Sequence, residues 1–266
     1  MCFDELCKKL YSINEIEAAC LGGSRSTDNF DKASDYDLYL YVTELPSVKT
    51  RQDVLKEYCS YMEINNTYWE TEDDCVLKDG IPIDILYRSI SSFEQGIART
   101  VEGFEANNGY TTCLWHNLIN SRILFDKEGR LEAMQKRFDV PYPAPLRKNI
   151  ILRNRKLLSG YLPSYDEQIK KAIGRNDIVS VNHRTAAFLE SYFDIIFAMN
   201  SLTHPGEKRE ISYALKNCEI LPESFEGNLS LLLKSLFSSS AETPSILDSI
   251  IKNLDESLAK AGFPTV

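Results

Sequence analysis

The chain has 266 residues, 43% of them hydrophobic and 26% charged, an ordinary globular composition with enough apolar mass for one large domain or two modest ones. It contains no run of about 18 apolar residues and no basic start followed by an apolar stretch, so neither a membrane-spanning helix nor a secretory leader is expected. The formal net charge of −9 is uneven: residues 1–141 hold 15 Lys and Arg against 25 Asp and Glu, residues 142–266 hold 15 against 14, so a broad basic footprint for duplex nucleic acid is not expected.

Seven cysteines (Cys2, Cys7, Cys20, Cys59, Cys75, Cys113 and Cys218) are odd in number, scattered and without a Cys-x-x-Cys pair. They read as reduced thiols of a cytoplasmic protein, not as a disulfide frame or a zinc site. His116, His183 and His204 are too dispersed for a metal motif.

In chain order, residues 4–14 have the spacing of an amphipathic helix, and Ile16–Leu21 reads as a short buried strand ending at Gly22 and Gly23. Asp37–Val42, rich in aliphatic and aromatic side chains, is expected to be a central strand, followed by a helix over 47–61. Asp79-Gly80 between two apolar runs predicts a hairpin over Val76–Arg88. Helices near 90–106 and 111–120, a strand at Ile123–Phe125 and a helix from Arg130 to about Phe138 complete the first half.

Pro141, Pro143 and Pro145 mark a boundary between a domain of residues 1–141 and one of residues 142–266. Beyond it the periodicity is helical, over 145–160, 164–174, 177–200, 207–217, 223–238 and 244–261. Of these, 177–200 is apolar nearly all round and is expected at the centre of a bundle. The expected fold class is α+β, a small mixed-sheet domain followed by an all-helical one, with the active site in the cleft between them.

The chemistry concentrates in Leu21-Gly22-Gly23-Ser24, ten further residues, and then Asp35-Tyr36-Asp37-Leu38. Two glycines at a strand end let backbone approach a ligand, and Ser24 adds a hydroxyl at a turn whose N–H groups could hold phosphate oxygens. Asp35 and Asp37, two apart on an incipient strand, share a face. Paired carboxylates repel unless a cation sits between them, and Mg²⁺ favours a few carboxylates plus phosphate oxygens. Asp84, within the apolar run Ile83-Asp84-Ile85-Leu86, is costly unless metal-bound or paired, and is the candidate third acid of a two-metal arrangement; pairing with Arg88 or another basic group is the plain alternative.

Gly-Gly-Ser, about ten residues, then Asp-x-Asp with apolar neighbours resembles the signature of the polymerase-β-type nucleotidyltransferase superfamily, in particular its minimal and aminoglycoside-modifying branches. The resemblance implies that Gly22, Gly23 and Ser24 contact triphosphate, that Asp35 and Asp37 ligate metal, and that Asp84 is the third carboxylate, as metal ligand or as base for the acceptor hydroxyl. It implies two Mg²⁺ ions and ATP as co-substrate, with an AMP-like group passed to a small hydroxylated molecule, aminoglycoside-like in the leading case. AMP transfer to a protein or RNA, and a non-catalytic nucleotide-binding module, are the alternatives. Asp28 stands where related sequences usually have a glycine, and Arg25 could serve as a compensating phosphate contact.

In the second half, residues 172–177, 197–200 and 204–209 resemble a family of bacterial nucleotidyltransferase-domain proteins with an uncharacterised C-terminal domain. Lys208, after Pro205-Gly206 at a helix start, is a further candidate nucleotide contact. His183, Glu190 and Asp194 lie near one stripe of the helix over 177–200 and are candidates to hold an acceptor or to pair with neighbouring basic groups. Tyr68 and Trp69 are expected to pack in the core or to stack on a base or sugar.

Overall fold

The computed structural model describes residues 2–23, 25, 34–238 and 240–263, with the backbone alone at Phe237 and Ser240. The chain divides into two compact units, residues 1–98 with 117–140 and residues 99–116 with 141–266, the division falling within two helices. Among the described residues no helix is long and apolar enough to cross a membrane.

The first unit is built on a six-stranded mixed sheet in the order β3-β4-β5-β2-β1-β6. The strands are β1 (Ile16–Gly22), β2 (Tyr36–Val42), β3 (Cys59–Asn66), β4 (Thr71–Leu77), β5 (Pro82–Ser89) and β6 (Arg122–Asp126). Only β2 and β5 run parallel; the other neighbours are antiparallel. Period-two alternation gives the sheet one buried face, carrying Leu21, Leu38, Leu40, Ile83, Ile85 and Leu77, against which α1 (Cys2–Leu10) sets Phe3 and Leu6 and α2 (Val48–Leu55) sets Leu55.

The buried face also holds one ionic group. Arg51 of α2 and Asp73 of β4 are both fully buried and paired. Asp73 further accepts from the backbone N–H of Asn65 at 2.8 Å and from the Tyr87 hydroxyl at 2.9 Å. A buried ion pair persists when its remaining hydrogen-bonding capacity is met in this way.

Two local expectations are corrected. The helix over 47–61 stops at Leu55, and Cys59–Asn66 is a strand, because Tyr61, Met62 and Ile64 pair across to β4. The hairpin's first arm begins at Thr71 rather than Val76, since Glu72, Asp73 and Asp74 take up the ladder with β5 despite their charge. Tyr68 and Trp69 lie at the turn between β3 and β4, 84% and 86% exposed, and do not pack in the core.

The second unit is helical, with α6 (Ala144–Leu158), α7 (Tyr165–Gly174), α8 (Ile178–Met199), α9 (Glu210–Asn217), α10 (Phe225–Ser238) and α11 (Thr243–Lys260); of the preceding helices, α3 (Ile90–Val101) and α4 (Cys113–Asn120) are divided between the units and α5 (Arg130–Phe138) belongs to the first. From Ser191 to Met199 every residue of α8 is buried, as its all-round apolar surface predicts. Its first turn is different, with Ile178 and Val179 exposed. Asp177 caps it by accepting from the backbone N–H of Ser180 at 3.0 Å.

Candidate active site

The less buried face of the sheet carries the acids. Strand register puts Gly22 of β1 opposite Asp37 of β2, Asp37 opposite Asp84 of β5, and Asp84 opposite Asp74 of β4. Directly opposed residues share a face, so three carboxylates and the glycine that ends β1 form one row across four strands. Like charges at directly opposed positions destabilise a sheet, and here that cost is incurred twice in succession.

Gly23 is required by geometry. Its φ is +61°, in the left-handed region, and a Cβ there would lie 1.7 Å from Asp37 Oδ2. The backbone after β1 therefore lies against the carboxylate that the sequence marks as a metal ligand. Gly22 has a different constraint: a Cβ would come within 2.3 Å of the Tyr39 ring. That ring is held under the Arg88 guanidinium, 4.3 Å from its centroid.

Arg88 is directed elsewhere than the sequence alternative of pairing with Asp84 supposes. Its guanidinium donates to both carboxylate oxygens of Glu70 at 2.7 Å and to Asn117 Oδ1 at 3.0 Å. Asp35 immediately precedes β2 and is partly buried. Arg25 donates from Nε to the Ser34 carbonyl at 2.8 Å and stacks over Tyr36, 4.3 Å from the ring centroid, while Tyr36 stacks on Phe3. It thereby ties residue 25 to residue 34, the two ends of the phosphate-loop candidate. Ser24 and Asp28 lie outside the described residues.

Two acids were not singled out from the sequence. Asp74 extends the row, accepting from Asn66 Nδ2 at 2.9 Å, and Glu72 lies two residues before it on the same face. Burial, followed by the charges of Asp74, Asp84 and Glu70, raises the Glu72 carboxyl above its usual range. The available signal was the alternation Glu72-Asp73-Asp74-Cys75, which gives one face of β4 two acids once that segment is known to be a strand.

The residues fit a hard divalent cation by donor type, since hard cations take oxygen ligands and the carboxylates stand on neighbouring strands beside close backbone. Among the described residues no three His, Cys, Asp or Glu side chains already meet as metal ligands.

The other candidates are in the second unit. Lys208 is exposed in the turn before α9. On α8, His183 is exposed, Glu190 partly buried and Asp194 buried. Asp194 is tied in by neutral partners, accepting from the Thr111 backbone N–H at 3.1 Å, the Thr111 hydroxyl at 2.6 Å and Asn154 Nδ2 at 3.1 Å. Arg153 donates to Asn108 Oδ1 instead.

Burial pushes the Asp194 carboxyl up to about 6, against the lowering effect of Thr111, His204 and Asn154. A carboxyl raised on folding holds its proton in the native chain where the unfolded chain has lost it, so stability declines as pH rises between about 4 and 6. The decline expected from this group is at most about 3 kcal/mol. Denaturant unfolding of the wild type and of Asp194→Asn across that window measures it; the wild type should lose stability relative to the variant.

The family described as a domain of unknown function (DUF4037) matches residues 111–208. No curated protein matches the chain. Solved structures similar to it include a nucleotidyltransferase-like protein from Exiguobacterium sibiricum 255-15, at 12% identity and TM-score 0.44, covering 97% of this chain and 75% of that one. An aminoglycoside 6-adenyltransferase from Bacillus subtilis aligns at 11% identity and TM-score 0.32, over 99% of this chain and 91% of its own. The CCA-adding enzyme of Thermotoga maritima, solved with tRNA, aligns at 10% identity and TM-score 0.27, over 99% and 83%.

Proposed function

We propose that the chain is a nucleotidyltransferase that moves a nucleoside monophosphate, AMP in the leading case, from a nucleoside triphosphate to a hydroxyl of a small molecule. The observation that carries this reading is the pairing of Asp37 with Asp84 on adjacent parallel strands, with Gly22 on the other side of Asp37. Asp35, Asp37 and Asp84 would hold Mg²⁺, which when bound supplies positive charge that offsets the triphosphate and the charge developing at phosphorus.

In this reading the backbone at Gly22 and Gly23 lies against the triphosphate, with Ser24 and Arg25 as further contacts. The acceptor oxygen forms a bond to the α-phosphorus while the bond from that phosphorus to the bridging oxygen breaks. Pyrophosphate leaves, and the acceptor proton passes to a nearby carboxylate, with Asp84 the candidate. The excess of acid in residues 1–141 suits a positively charged acceptor, aminoglycoside-like by the sequence resemblance.

Calorimetric titration of ATP in the presence and absence of Mg²⁺ tests the site. The wild type should bind only with Mg²⁺, and Asp35→Asn/Asp37→Asn should not bind. Equal binding by both proteins would remove the carboxylate pair from the reading.

A further inference from the structure

The corner made by Gly22 and Gly23 is braced by two side chains of β2. Asp37 and Tyr39, two apart on that strand, share a face, and each meets one of the glycines. A Cβ at Gly23 would run into the Asp37 carboxylate, and a Cβ at Gly22 would run into Cε2 of the Tyr39 ring. Asp37 is itself a candidate metal ligand. Tyr39 turns a ring carbon to the glycine, so at this contact it sets where the backbone lies rather than supplying a polar group.

Arg88 holds that ring. In the parallel register of β2 and β5, Asp84 stands opposite Asp37 and Leu86 opposite Tyr39, so Arg88 is the next residue on the same face and lies diagonally across from Tyr39. The Arg88 guanidinium lies 4.3 Å from the Tyr39 centroid and 5.3 Å from that of Phe93. Its edges are fixed as well: Nε and Nη2 donate to the two Glu70 carboxylate oxygens, each at 2.7 Å, and Nη1 donates to Asn117 Oδ1 at 3.0 Å.

The Arg88 side chain is only 10% exposed, so these bonds are made largely out of water. A guanidinium paired in this way is fixed in plane and direction, which a lysine ammonium cannot reproduce while also lying flat on a ring. Burial raises the Tyr39 phenol to about 12, with the charge of Arg88 lowering it and that of Asp37 raising it. The ring therefore stands in the field of both groups. Glu70, Arg88, Asn117, Tyr39 and the two glycines all belong to the first unit.

We propose that Arg88 is a positioning residue of the transfer site: through Tyr39 it fixes the Gly22–Gly23 backbone where that backbone meets the triphosphate. The ligand in this statement rests on the transfer reading, whereas the hold of Arg88 on the corner is measurable without any nucleotide.

Glycine-selective isotope labelling of the full chain gives 12 glycine signals to follow by NMR. Without nucleotide, Arg88→Lys and Tyr39→Leu should both displace the Gly22 and Gly23 signals, and Tyr39→Phe, which keeps the ring, should leave them close to their wild-type positions. The Gly80 signal, from the β4–β5 turn, should stay in place throughout and report an intact sheet. On titration with Mg·ATP, Arg88→Lys and Tyr39→Leu should bind at least about tenfold more weakly, the scale on which a displaced positioning element acts, and Tyr39→Phe should recover the affinity. Tyr39→Leu removes no charge and decides the matter if Arg88→Lys does not fold. Unmoved Gly22 and Gly23 signals in both variants, or moved signals with unchanged affinity, overturn the proposal. A wild type that binds no Mg·ATP, with the corner signals still moved in the variants, removes the transfer reading and the triphosphate with it, while the support of the corner by Arg88 stands.

Discussion

Asp37→Asn is expected to lower nucleotidyl transfer at least about a hundredfold, the scale on which loss of a single charge-stabilising group in a preorganised site acts. The side chain keeps its shape, so the sheet should be intact, but the charge at the centre of the row Gly22, Asp37, Asp84, Asp74 is gone. The backbone of Gly23 lies against that carboxylate, leaving no room for a displaced group to substitute. Incorporation of label from ATP into an extract or a purified acceptor measures the loss. Asp74→Asn is the internal comparison: Asp74 is two strands away from Asp37 and already held by Asn66, so it should cost less than tenfold. If the two variants lose activity equally, Asp37 has no special place in the row.

Asp73→Ala is expected to destabilise the first unit by about 3–5 kcal/mol, the range for breaking one side of a buried ion pair. It strands the Arg51 guanidinium without exposure and removes the acceptor used by the Asn65 N–H and the Tyr87 hydroxyl. A typical domain has only about 5–15 kcal/mol in total, so this unit would become marginal. Far-UV circular dichroism during guanidinium unfolding reads the shift. The double variant Arg51→Met/Asp73→Leu should recover much of it, because both charges leave together. A loss below about 1 kcal/mol for Asp73→Ala would mean that water reaches Arg51.

Asp73 and Asp74 are adjacent acids with opposite fates, and nothing in their side-chain chemistry separates them. Alternation along β4 turns Asp73 into the core, where Arg51 from α2 compensates it, and Asp74 into the row with Asp84. The sequence reading missed this because Glu72-Asp73-Asp74 looks like a polar lead-in to a hairpin; strand propensity is poor there and the ladder with β5 overrides it. The same cause hid β3, whose alternating exposure resembled the tail of a helix.

By itself the sequence determined the element types wherever a period was sustained: the two strands flanking the glycines, the hairpin around Asp79-Gly80, and the six helices from residue 144 onward. It also singled out the candidate site residues, because Gly-Gly-Ser and Asp-x-Asp are local patterns whose spacing survives without any knowledge of neighbours. Only the tertiary structure decided which strand lies beside which. That Asp84 stands next to Asp37, that Arg88 is taken by Glu70 and Asn117, and that Asp194 is met by Thr111 and Asn154 all depend on contacts 18 to 83 residues apart in the chain. Such pairings arise from burying a whole face of sheet or helix at once, a collective gain that no local pattern encodes.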